Sequence, residues 1–164
     1  MADDGAGAAA LHRLEAGWDL PAGVDVLDLG TPGPYFAEYL RGYGAVVILD
    51  ALAGEGVPGE IRTYEDDALP FGTAGTRLTP HAIDLGAARA TLDFEGDGPA
   101  RWIAVGIVPQ TIEAGTELTP PVQAALHAAA ATAAAALERL GHVVPERREA
   151  TEDAPWWERE LLGS

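Results

Sequence analysis

Carboxylates, histidines and threonines are the side chains this sequence offers for catalysis. Cysteine and lysine are absent, and the only serine is Ser164 at the extreme C-terminus. Thiolate, amine and serine nucleophiles are therefore excluded, as are disulfides and thiolate metal sites. Four histidines remain: His12, His81, His127 and His142. None belongs to a zinc-protease helix, because His12-Arg13-Leu14-Glu15-Ala16 lacks the second histidine one turn on. What is left is chemistry done with carboxylates, imidazole and a metal ion.

Three places could position such groups. Asp50 follows the apolar run Ala45-Val46-Val47-Ile48-Leu49, which reads as a strand buried on both faces, and open α/β sheets place ligands at the carboxyl ends of such strands. Two other readings of Asp50 are a simple cap and an acid that holds a ribose hydroxyl, since it lies twenty residues beyond Gly30. Gly30-Thr31-Pro32-Gly33-Pro34-Tyr35 argues against the ribose reading: it lacks the G-x-G-x-x-G spacing, and its prolines remove backbone donors. His81 follows Thr79-Pro80 in the first turn of a helix, where the positive end of the dipole keeps imidazole neutral, as a metal ligand must be. The alternative is an ordinary exposed histidine. Asp3-Asp4 stand ahead of a helix, where N-capping alone explains them. His12, His127 and His142 read as helix-surface or helix-end residues.

The elements that would carry these groups alternate between strand and helix. A first helix, Ala8 to Trp18, has Leu11, Leu14 and Trp18 at helical spacing and ends at Pro21-Ala22-Gly23. Val24 to Asp28 alternates as a short strand, and the Gly30–Pro34 turn leads into a helix carrying Tyr35, Phe36, Tyr39 and Leu40. After the apolar strand come a glycine-rich loop with Pro58-Gly59, a strand Ile61 to Tyr64, and the acidic patch Glu65-Asp66-Asp67. A long loop, Ala68 to Arg77, precedes the Thr79-Pro80 helix. Trp102 to Val108 is the next buried strand, and Thr119-Pro120-Pro121 opens a long helix that closes at Gly141. This pattern predicts one α/β domain with three layers, a mainly parallel twisted sheet flanked by helices.

The boundary falls at residue 144, and residues 145–164 form a charged tail with Trp156-Trp157 and Leu161-Leu162. That tail docks on the chain's own surface, binds a partner, or is disordered. A net charge of −16, with every basic residue an arginine, disfavours nucleic acid as a partner. The alanine-rich run Ala124 to Leu137 is too short and weakly apolar to span a bilayer, and no secretory signal opens the chain. A soluble, cytoplasmic protein is expected.

Five strings in order resemble the family of hydrogenase maturation proteases, which trim nickel-iron hydrogenase large subunits. They are Asp3-Asp4-Gly5-Ala6-Gly7; Leu29-Gly30-Thr31-Pro32-Gly33; Val47-Ile48-Leu49-Asp50-Ala51; Thr79-Pro80-His81; and Val105-Gly106-Ile107-Val108-Pro109-Gln110 followed by Leu118-Thr119-Pro120. The resemblance covers Asp3 to Val144. It implies a phosphorylase/hydrolase-like α/β fold and an endopeptidase that removes the C-terminal extension of a nickel-loaded large-subunit precursor after a basic residue. It implies that Asp4, Asp50 and His81 bind nickel, supplied by the substrate, and it names no catalytic base. The turn of Gly30, Thr31 and Gly33 would contact substrate, with tight strand-to-helix packing as the other reading.

The family also opens on a β-strand ending in a Gly-x-Gly-Asn-type turn ahead of the acidic pair. That strand is missing here, which implies a start codon assigned downstream of the true one, a real truncation, or a non-functional descendant. Its loss would leave Asp4 without a rigid support and expose neighbouring strand edges to self-association. Two rival functions follow from the residues: a non-catalytic accessory protein that binds nickel or the large subunit, and a nucleotide-binding α/β domain.

Overall fold

The computed structural model of the protein describes residues 3–30, 33–70, 76–78, 82–111 and 117–147. Among the described residues the α-helices are α1 (Ala6–Gly17), α2 (Phe36–Leu40), α3 (Ala82–Glu95) and α4 (Pro120–Arg139), and the strands are β1 (Ala45–Gly54), β2 (Ile61–Glu65), β3 (Thr76–Leu78) and β4 (Arg101–Ile107). They form one sheet in the order β2-β4-β1-β3. The expected α/β class and layering hold, but the sheet is mixed rather than mainly parallel. Among the described residues only β1 and β4 are parallel, in register from Ala45↔Arg101 to Ala51↔Ile107; β2 pairs antiparallel with β4, and β3 antiparallel with β1.

Side-chain alternation along the two central strands builds a core on each face. Val105 and Ile107 of β4, with Ala51 of β1, pack under α1 and α4 through Ala6, Ala10, Leu14, Val122, Ala129 and Ala133. Trp102 and Ala104, with Leu52, face α2 and α3 through Ala37, Leu40, Leu85, Ala88 and Leu92. The alanines of α1 and α4 keep both helices low on the sheet. At Gly7 contact is closest: a Cβ there would stand 2.5 Å from the Leu49 carbonyl oxygen.

Two expected elements differ. Val24 to Asp28 is extended, with Val24 and Val26 half-buried and Asp25 and Leu27 exposed, yet it joins no ladder; alternation supplies the face of a strand, but only a neighbour supplies its hydrogen bonds. The last two residues of the loop expected over Ala68 to Arg77, Thr76 and Arg77, belong instead to β3, which exists because β1 runs on past Asp50 to Gly54 and pairs Leu52↔Leu78 through Gly54↔Thr76. On that same edge, no strand pairs with Ala45–Leu49 among the described residues. A cavity of about 1300 Å³ lies between this edge and the extended segment, lined by Val24, Val26, Leu29, Val47 and Leu49.

The start of the tail is tied down. Glu146 bridges Trp18, the Arg147 amide donates to the Gly17 carbonyl at 2.7 Å, and the Arg147 guanidinium donates to Asp19 Oδ1 at 2.7 Å. Residues 148–164, with both tryptophans, lie outside the described residues. Among the described residues no helix is long and apolar enough to cross a membrane.

Candidate active site

The N-terminal turn, a short 3-10 helix over Asp3–Gly5, runs directly into α1. Neither aspartate caps α1, whose N-cap is Gly5 without a side-chain hydrogen bond. The reason lies in Asp3, which turns away from its own helix and is fully buried. Its Oδ2 accepts the Gln110 amide at 2.7 Å, the Thr111 amide at 3.1 Å and the Thr119 hydroxyl at 2.9 Å, and its Oδ1 accepts the Thr119 amide at 2.8 Å. Burial pushes the carboxyl pKa up, but the amides of Thr119, Thr111 and Gln110 and the Thr119 hydroxyl together outweigh it. The result is a carboxyl below its ordinary value. Thr119 is the N-cap of α4, with Pro120 in the first turn, but its hydroxyl goes to Asp3 and not to its own helix.

Asp4, the next residue, is half-exposed and lines the cleft between β1 and the extended segment. Asp50 lines the same cleft. Asp50 does not end its strand, as expected, but it does stand at the carboxyl end of the parallel ladder, opposite Gly106 and one pair before that ladder stops. Its Oδ1 accepts the Ala51 amide at 2.8 Å, which orients the carboxylate. Gly7 links the two acids physically: three residues beyond Asp4, a Cβ on it would meet Asp50 Cα at 2.9 Å. The structure thus brings Asp4 and Asp50 to one end of the sheet.

His81 lies outside the described residues, as does the Thr79-Pro80 helix start. Leu85, on the helix that follows His81 in sequence, lines the same cleft. Among the described residues no three carboxylates and histidines stand close enough to hold a metal ion. Of the glycine turn, Gly30 lines the cleft, Gly33 is not among its walls, and Thr31 lies outside the described residues. Gly30 and Gly33 both have positive φ, 52° and 57°, so the turn itself asks for glycine. The Gly30 amide donates to Asp28 Oδ1 at 3.1 Å, and the helix that follows is only five residues long; a pyrophosphate would find the Gly30 amide taken and no substantial helix dipole.

The sequence profile of the hydrogenase maturation proteases matches residues 9–136. The chain belongs to the hydrogenase maturation protease family. It is 29% identical to the hydrogenase 2 maturation protease of Escherichia coli strain K12, over 93% of each chain. It is also 29% identical to the hydrogenase expression/formation protein HupD of Rhizobium leguminosarum bv. viciae, over 98% of this chain and 80% of that protein. The fold matches the hydrogenase maturating endopeptidase HybD of E. coli with a TM-score of 0.81 at 28% identity, covering 90% of this chain and 91% of that one. It matches the [NiFe] hydrogenase maturation protease HybD of Thermococcus kodakarensis with a TM-score of 0.65 at 25% identity, over 85% and 90%.

As a hydrogenase maturation protease, the chain is a peptidase, and the inventory of its side chains fits one that works without a serine, cysteine or lysine nucleophile. Sequence reasoning passed over Asp3, taking it for part of an N-cap. The available signal was an acidic pair in which only one member had a role.

Proposed function

We propose that this protein removes the C-terminal extension of a nickel-loaded hydrogenase large-subunit precursor, and that Asp4, Asp50 and His81 bind the nickel that the substrate carries. The observation supporting this most directly is that Asp4 and Asp50 line one cleft, which runs along β1, with Asp50 at the carboxyl end of the β1–β4 ladder and Gly7 packed on its backbone. Two carboxylates and an imidazole make a mixed oxygen and nitrogen donor set, which suits a borderline divalent ion that keeps open positions. Held by these three side chains, a nickel ion would supply the Lewis acidity that polarises a scissile carbonyl or a water molecule. The chain's own residues anchor and orient: Asp50 through the bond from the Ala51 amide, Asp4 from the turn that leads into α1. The net charge of −16 favours approach of a basic residue next to the cleavage site.

The test is incubation with purified nickel-loaded precursor and mass spectrometry of its C-terminus. Loss of the extension, abolished by Asp50→Ala and by His81→Ala, is the expected result. Cleavage by both variants at the parent rate would sink the assignment. Stable complex formation with the extension intact would instead mark a non-catalytic accessory protein.

A further inference from the structure

We propose that Asp3 is a positioning residue for this site: its buried carboxylate ties the turn that carries Asp4 to the chain just beyond β4 and to the start of α4. The inference rests on the functional reading above, because it takes Asp4 and Asp50 as the working acids.

A carboxylate offers two oxygens with about four lone-pair sites, and Asp3 fills them with three main-chain amides and one hydroxyl. These partners lie between 107 and 116 residues away in the chain. A local cap satisfies one helix end; this contact holds three separate segments at one point. Two of those segments border the cleft directly: Asp4 follows Asp3, and Leu118, which lines the cleft, precedes Thr119. The third, Gln110 and Thr111, continues the strand whose Gly106 is paired with Asp50. Asp3 therefore fixes Asp4 relative to the strand next to Asp50 without itself lining the cleft. Catalytic geometry is sensitive to such placement, since a shift of about 1 Å costs on the order of a hundredfold in rate.

Asparagine at this position keeps one acceptor oxygen. Placed where Oδ2 is, that oxygen retains the Gln110 and Thr111 amides, while the amide nitrogen then faces the Thr119 amide and loses that bond. Alanine loses all four. The two variants form a graded pair, and the experiment compares Asp3→Ala and Asp3→Asn with the parent by amide hydrogen exchange and by steady-state cleavage of the nickel-loaded precursor.

The expected result is loss of protection at Gln110, Thr111 and Thr119 in Asp3→Ala and at Thr119 alone in Asp3→Asn. The Asp4 and Asp50 amide resonances shift in both. kcat falls about tenfold to a hundredfold in Asp3→Ala and less in Asp3→Asn, with KM within about twofold. Lost protection with kcat at the parent value overturns the proposal, because the tie is then structural only. If Asp3→Ala does not fold, Asp3→Asn carries the same comparison. If the parent protein itself does not cleave, the functional reading has failed on its own account; unmoved Asp4 and Asp50 resonances in Asp3→Asn then overturn the positioning role independently.

Discussion

Gly7 rests on the main chain of Asp50, with no room for a methyl group between them: a Cβ would stand 2.9 Å from Asp50 Cα and 2.5 Å from the Leu49 carbonyl oxygen. A backbone obstacle cannot rotate away. Gly7→Ala should therefore lift α1 from β1, at a cost of about 1–3 kcal/mol for overpacking. Alanine regains roughly 1 kcal/mol over glycine in a helix, and the close approach to backbone puts the net effect on the destabilising side. Urea denaturation reads the stability, and precursor cleavage should fall further than stability alone explains, because Asp4 moves with the helix.

Asp50→Asn separates chemistry from folding. The asparagine oxygen can still accept the Ala51 amide, so the unfolding free energy should change by no more than about 0.5 kcal/mol. Precursor cleavage should drop at least about a hundredfold, since the charge that would face the metal is gone. A variant that cuts normally would remove Asp50 from the site.

Asp66 predicts part of the acid limb of stability. Its Oδ1 accepts the Trp102 amide at 2.9 Å and its Oδ2 the Arg101 guanidinium at 3.1 Å. The Trp102 amide bond, helped by the nearby arginines and opposed by burial, holds its carboxyl below the ordinary value. A depressed folded-state pKa means that this stabilisation is fully present above the unfolded value, about 3.9, and is lost as pH falls through the folded one. Denaturation midpoints measured between about pH 6 and pH 2.5 should fall less steeply in Asp66→Asn than in the parent at the acid end.

The edge of β1 facing the extended segment, where no strand pairs with Ala45–Leu49 among the described residues, should drive self-association, because a row of backbone donors and acceptors without a neighbouring strand is a template for another chain. Sedimentation velocity over a range of concentrations should show species larger than the monomer. Leu27, exposed by 44% on the extended segment, is the position at which to oppose this: Leu27→Lys should lower the associated fraction without lowering the unfolding midpoint.

What the sequence disclosed was whatever burial writes into a local run of residues. Ala45–Leu49 and Trp102–Val108 had to be strands because nothing else buries so many consecutive apolar side chains in so short a stretch, and Thr119-Pro120-Pro121 marked the start of α4. Elements that depend on a neighbour were invisible. Three residues of β3 carry no strand pattern and are ordered by the extension of β1, while Val24 to Asp28 carries the pattern without a ladder. That Asp4 and Asp50 stand at one end of the sheet was implied by the motifs. Asp3 was not legible, because its hydrogen bonds span more than a hundred residues and no window on the sequence contains both ends.

That span sets an order of events during synthesis. The Asp3 carboxylate cannot close its bonds before Thr119 has been synthesised, and at about 5–20 residues per second this comes roughly 6–23 s after Asp3 is made. Until then the turn bearing Asp4 lacks its tie to the chain beyond β4. The peptidase is thus assembled by one of the last helices to emerge, and a nascent chain with its first acid already exposed has no finished site with which to cut.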